Sequence, residues 1–291
     1  MNADPKAIHA DRKTLAVFVD ASRSGQKRAA HAAAIAQRWG AGVVGVHVVG
    51  ADVMPGYMYN ARGHTAAAEL IAYERRLATD AKAAEQLAHE RFQALCAGLK
   101  VPGEFRGIRR TKAQEAAILN AFQSDLVIVG HPAPDGLPEY MAPERILLES
   151  GGPVLIIPNA WAGETIGENI VIGWNATREA RHAVCDAMSF LVAASSVTVL
   201  LIDPHENWGH GQEPGADVAL YLSRHGAPVA VEKLTTRGPS VAEALLDYVQ
   251  QHGTDLLVLG AYSHARLREL LLGGVTRTLL AQMPVPVLIS R

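Results

Sequence analysis

Asp125-Leu126-Val127-Ile128-Val129-Gly130 and Asp255-Leu256-Leu257-Val258-Leu259-Gly260 are the two stretches that decide the fold. Each is an unbroken apolar run of strand length set between an aspartate and a glycine. Such a run is expected for a strand of a parallel sheet that is covered on both faces. Each follows a helical segment that opens on a capping box, Thr111-Lys112-Ala113-Gln114 in front and Ser240-Val241-Ala242-Glu243 behind. In a capping box the hydroxyl takes the amide three residues on, and the side chain there reaches back to the cap amide.

The same correspondence extends in both directions. Pro153-Val154-Leu155-Ile156-Ile157 matches Pro286-Val287-Leu288-Ile289-Ser290 as a final strand. Leu15-Ala16-Val17-Phe18-Val19-Asp20-Ala21-Ser22 matches Ile170-Val171-Ile172-Gly173-Trp174-Asn175-Ala176-Thr177 as a first strand, a polar turn and a helix start. The β-branched run at 43–49 matches 196–202. Four landmarks repeated in one order indicate internal duplication. The units are 1–158 and 168–291. Residues 159–167, small and polar, read as a linker that reaches roughly 30 Å when extended.

Strands alternate with helices in each unit. On the front helix Tyr73, Leu77, Ala81, Ala84, Ala88, Phe92 and Leu95 keep a three-four spacing. Ala180, Val184, Ala187, Met188 and Leu191 do so behind. Crossovers between parallel strands are right-handed. The expected fold is therefore α/β: two tandem Rossmann-like open parallel five-stranded sheets, with helices on both faces.

Composition narrows the function classes. The chain has 291 residues, 49% hydrophobic and 19% charged, which suits two folded domains. A net charge of -2 gives no basic field for nucleic acid or for an anionic membrane. No apolar run is long enough to span a bilayer, and the first residues are not signal-like. The expectation is a cytoplasmic protein without a nucleic-acid or membrane partner. Cys96 and Cys185 lie far apart in helical patterns and read as reduced core residues. No metal site is expected. Asp203, His205 and His210 after the second back strand match no metal motif, and neither do Met54, Met58 and His64.

Ligands of an open α/β sheet bind beyond the carboxyl ends of its strands. The loop after Gly260 reads Ala261-Tyr262-Ser263-His264-Ala265-Arg266-Leu267-Arg268-Glu269-Leu270-Leu271-Leu272-Gly273-Gly274-Val275. A helix is expected from about Gly274, and its free amides suit a phosphate. In front, Gly130 is followed by His131-Pro132-Ala133-Pro134-Asp135-Gly136-Leu137-Pro138. Proline has no N–H to offer a phosphate. Glu144 falls near the next helix start.

At this point the sequence resembles the universal stress protein family, over both units. ATP-binding members of that family carry glycine, two residues, glycine, nine residues, glycine, then serine or threonine. Gly260 matches the first glycine and Gly273 the third. Ser263 stands at the second, and Gly274 at the hydroxyl position. The resemblance implies that Gly260, Ser263, Gly273, Gly274 and Val275 surround the phosphates. It implies that an aspartate ending the first strand lies beside adenosine; Asp20 matches it, and Asn175 replaces it in the back unit. Asp20 and Asn175 also read as helix caps. Gly260 also reads as a tight turn, and Gly273 and Gly274 as helix entry.

The resemblance therefore implies a non-enzymatic stress-response protein acting by ligand-sensitive signalling or scaffolding. The second unit would hold ATP or a related adenine nucleotide without efficient turnover, with magnesium only as the nucleotide's companion. Alternatives are an interaction protein with no nucleotide, and a weak ATPase. Family dimers pair their final strands antiparallel, so the two units are expected to form an intramolecular pseudo-dimer. Homo-oligomers through other faces remain open.

Overall fold

A computed structural model of the chain describes residues 14–49, 64–109, 113–131, 143–204, 213–236, 238, 240–261, 279 and 282–291. The front half runs β1 (Thr14–Phe18), α1 (Arg23–Trp39), β2 (Gly42–Val49), α2 (His64–Leu99), β3 (Gly103–Arg109), α3 (Ala113–Phe122), β4 (Leu126–Gly130), α4 (Pro143–Ser150) and β5 (Val154–Ile157). The back half runs β6 (Asn169–Gly173), α5 (Arg178–Asp186), α6 (Met188–Ala193), β7 (Ser196–Ile202), α7 (Ala216–Arg224), β8 (Val229–Leu234), α8 (Val241–Gln251), β9 (Leu256–Gly260) and β10 (Val287–Ser290).

The ten strands among the described residues form one sheet in the order β3-β2-β1-β4-β5-β10-β9-β6-β7-β8. Within each half every pairing is parallel. The halves meet where β5 and β10 run antiparallel, with Val287 opposite Ile156, Leu288 opposite Leu155 and Ile289 opposite Val154. That reversal puts the carboxyl ends of the two strand sets at opposite edges of the common sheet. It also pairs two apolar strands that would otherwise be open edges. The outer edges, β3 and β8, instead carry Glu104, Arg106, Glu232 and Lys233.

Side-chain alternation splits the core into two layers. One joins Leu15, Val17, Ile128 and Leu155 to Ile170, Val258 and Leu288, under α1, α2, α5, α6 and α7. The other joins Phe18, Val129 and Ile156 to Leu257, Val287 and Ile289, under α3, α4 and α8. Both layers cross the junction. On α2 the less exposed residues include Tyr73, Leu77, Ala81, Ala84 and Leu95, and full burial is reached at Ala88, Phe92 and Cys96.

Local chemistry sets the helix ends. The Gly25 N–H donates to Ser22 Oγ at 3.0 Å, and α1 stops at Gly40 with φ 64, a left-handed backbone that glycine adopts freely. At α8 the capping box closes: the Glu243 N–H donates to Ser240 Oγ, and the Ser240 N–H to Glu243 Oε2 at 2.7 Å. Glu243 is held below the usual carboxylate range, chiefly by that backbone donor. The front counterpart, Thr111, lies outside the described residues.

Three features depart from the sequence reading. The helix after β6 breaks at Ala187 into α5 and α6, and beyond the break Phe190 packs edge-on against Trp39 of α1 at 4.6 Å. Cys96 is buried, but Cys185 is exposed, because the buried stripe of α5 is Ala180, Ala183 and Val184. The connection at 159–167 is anchored rather than loose. Ile166 is buried, its carbonyl accepts from Arg38 at 3.0 Å, and Asp255 accepts the N–H groups of Gly167, Glu168 and Asn169. Arg38 also lies over the Phe190 ring.

Candidate functional site

Each half has a crevice where its first and fourth strands end side by side, at β1/β4 and at β6/β9. This is the point at which strand order reverses and where α/β sheets take ligands. The turns into α1 and α5 are built alike. Ser22 and Thr177 cap the helices, and the polar residue two positions earlier braces each cap. The Ser22 N–H donates to Asp20 Oδ1 at 2.8 Å, and the Thr177 hydroxyl to Asn175 Oδ1 at 2.8 Å. Asp20 and Asn175 are therefore not the caps themselves. Ala176 takes φ 54, a left-handed conformation that costs a non-glycine residue roughly 1–2 kcal/mol.

The front crevice contains a charged side chain that the sequence reading passed over. Arg28 is 1% exposed. Its Nε donates to the Phe18 carbonyl at 2.6 Å, and its Nη2 to Asp20 Oδ2 at 2.9 Å. Its Nη1 crosses Gly130, where an added Cβ would lie 2.2 Å from that nitrogen. Burial pushes the guanidinium down from its ordinary pKa, and Asp20 pushes it back up. Asn159 donates to the His131 carbonyl and leaves its Oδ1 buried beside Gly130, without a partner among the described residues. Asp20 also borders a groove of about 330 Å3 between α1 and α2, walled by Val19, Ala29, Ala88, Phe92 and Leu95. The signal for Arg28 was in the sequence: it falls in line with Ala32, Ile35, Ala36 and Trp39, the buried stripe of α1.

Among the described residues the back crevice has no such arginine. Counted from the caps, the residue matching Arg28 is Ala183, which is 1% exposed. Helix α5 comes down onto the sheet instead. A Cβ on Gly260 would lie 2.3 Å from the Ala180 nitrogen and 2.4 Å from the Glu179 carbonyl carbon. Glycine at 260 is thus required by close packing of the α5 backbone, not by a left-handed turn. Glu179 sits in the first turn of α5 and is 8% exposed. Burial pushes its carboxyl up, but its own N–H and the Arg178 guanidinium more than offset that and hold it below the usual range.

Of the sequence-derived site residues, the structure places Asp20 in the front crevice and Asn175 and Gly260 in the back one, at opposite sheet edges. Ser263, Gly273, Gly274 and Val275 lie outside the described residues. So do His205 and His210. The Asp203 carboxylate accepts from the Thr236 N–H at 2.9 Å and from its hydroxyl, tying β7 to β8. Among the described residues no three His, Cys, Asp or Glu side chains are grouped to hold a metal ion. None of the described helices is long and apolar enough to cross a membrane.

The universal stress protein family model matches residues 168–291, the whole back unit. Residues 168–291 thus form a universal stress protein domain. Universal stress protein Slr1230 of Synechocystis is 26% identical over 153 residues, covering 51% of this chain and 50% of that relative. The chain thus matches about half the length of that curated relative. Among solved structures, a universal stress protein from Archaeoglobus fulgidus aligns with 96% of this chain and 96% of its own, at 12% identity and a TM-score of 0.63. A putative universal stress protein from Pseudomonas aeruginosa aligns over 97% and 94%, at 15% identity and a TM-score of 0.56. At these identities the likeness is one of fold, and it extends over both units.

Proposed function

We propose that the protein is a stress-response protein with unequal halves. The second unit takes an adenine nucleotide, ATP or a relative, and holds it without efficient turnover. The first unit is its structural partner, joined through β5 and β10 as an intramolecular counterpart of a two-chain dimer. The observation that carries this reading is the difference between Arg28 and Ala183. A buried guanidinium, already paired with Asp20, fills the front crevice. In the back unit the matching helix position is Ala183, and that unit alone carries Gly260, Ser263, Gly273 and Gly274 at near-family spacing. The side of Gly260 that faces α5 is filled by backbone, so a nucleotide does not enter between Gly260 and α5.

One observation favours the interaction-protein alternative. Glu179, whose backbone packs on Gly260, adds a carboxylate to the first turn of α5, and a like charge opposes phosphate. Calorimetric titration of the full chain with ATP, ADP and AMP separates the readings. The expected result is no more than one equivalent bound, abolished by Gly273→Glu and retained in Gly136→Glu. Equal loss from both substitutions would contradict the assignment to the second unit. Absence of heat with all three nucleotides would leave the interaction reading standing.

A further inference from the structure

We propose that the front crevice is a guanidinium-binding site whose occupant, Arg28, is supplied by the chain itself. Three neighbours define the site: the Phe18 carbonyl ending β1, the Asp20 carboxylate in the turn, and the bare Cα of Gly130 ending β4. A long charged side chain gives up rotamer freedom and hydration to be buried there. What offsets that loss is a fit to a flat, forked cation: one carbonyl for Nε, one carboxylate for Nη2, and a residue without a side chain under Nη1. An ammonium is a point charge and does not span the carbonyl and the carboxylate in the same way.

The back unit shows what the same fold does without this site. With Ala183 in place of Arg28, the α5 backbone itself closes on Gly260. In the front unit Arg28 is bonded to the end of β1 and lies against the end of β4, so among the described residues the chain itself fills the space between them. The Arg28–Asp20 pair is neutral as a whole, and a vacated site beside Asp20 calls for a cation, not a phosphate. The proposal goes beyond the nucleotide reading of the back unit and does not depend on it.

The test is thermal unfolding of full-length Arg28→Ala, with guanidinium chloride, urea or sodium chloride each added to about 50 mM, well below denaturing strength. The variant is expected to melt roughly 5–10 °C below the parent, since it strands Asp20 without its partner. Guanidinium is expected to restore about 2 °C or more, saturably, as a ligand of the folded state does. Urea and sodium chloride should not, and the parent protein should not respond. Adding Asp20→Asn to Arg28→Ala should remove the response. An equal effect of guanidinium and sodium chloride, or a response that survives Asp20→Asn, overturns the proposal. If Arg28→Ala does not fold, Arg28→Lys decides. It should fold, melt below the parent and ignore guanidinium; a lysine variant as stable as the parent overturns the proposal.

Discussion

Gly130 and Gly260 occupy the same place in the two halves of a duplicated fold, at the end of the strand beside the first strand. Both point their missing Cβ at the first helix. The neighbour they make room for differs: the far end of Arg28 in front, the backbone of α5 behind. Among the differences on the helix, arginine against alanine accompanies this. With a large side chain to house, the front unit closes through a buried ion pair. With a small one, the back unit closes through direct helix–strand packing. An identical glycine is thus evidence of crowding but not of what does the crowding. A glycine motif at a strand end has that ambiguity built in.

The strongest way to break the comparison is to separate the halves. Ile156 and Leu288 are 2% and 0% exposed on the paired strands β5 and β10. A carboxylate at either site is an unpaired buried charge and should cost at least about 4 kcal/mol. Ile156→Asp and Leu288→Asp should each lower the urea midpoint sharply and speed protease cleavage within 159–167. Ala230→Asp on the exposed edge strand β8 should change stability by no more than about 0.5 kcal/mol. If the junction variants match Ala230→Asp with the fold intact, the two units are held together elsewhere.

A sharper cut replaces the two glycines. In Gly260→Ala the new methyl meets fixed helix backbone, and the expected loss is about 3 kcal/mol. In Gly130→Ala it meets the tip of a side chain that can give way, and the expected loss is about 1–2 kcal/mol. The second loss should shrink when Arg28→Ala is also present, because the two residues share one space. Urea unfolding of the single and double variants measures all three quantities. A Gly130→Ala penalty unchanged by Arg28→Ala would place the clash on something other than the guanidinium.

The duplication itself was legible because parallel strands buried on both faces must be apolar throughout, and 126–130 and 256–260 say so without help from context. The α2 stripe was legible for the same reason, as was the Ser240 box, whose partners are three residues apart. Arg28 was hidden among neighbouring charges: Lys27 beside it is an ordinary exposed cation, and only the phase of the helix separates the two. The break at Ala187 could not be read, since Ala183 through Leu191 keeps a helical spacing across it. The anchoring of 159–167 depends on Asp255 and Arg38, which are remote in sequence. The same distance hides the contact of Trp39 with Phe190. Sequence pattern reports burial along one element; it does not report which distant group meets it.

The aspartates that open β4 and β9 provide the finest comparison. Asp125 and Asp255 precede matching strands, and each accepts a backbone N–H from the first strand beside it, Thr14 at 2.9 Å and Asn169 at 2.9 Å. Asp125 is exposed, whereas Asp255 is 7% exposed. Asp255 also takes the N–H groups of Gly167 and Glu168, and the hydroxyl of Thr165. It further offsets the burial of Arg38, raising a guanidinium that burial itself lowers. Asp125 is exposed, so in Asp125→Ala water can reach the groups it releases, and the loss should stay within about 0.5 kcal/mol. In Asp255→Ala the amide donors at 167–169 lose their shared acceptor, and the Gly167 donor among them is buried. A buried donor left unsatisfied costs about 1–3 kcal/mol, so the whole change should cost about 2 kcal/mol. Hydrogen exchange at Gly167, Glu168 and Asn169 should accelerate in Asp255→Ala, and cleavage between 159 and 167 should follow. The difference arises because the back aspartate has the connecting segment to hold as well as its own strand. Equal losses from the two substitutions, with unchanged exchange at 167–169, would show that the connection is fixed by Arg38 and Ile166 without the carboxylate.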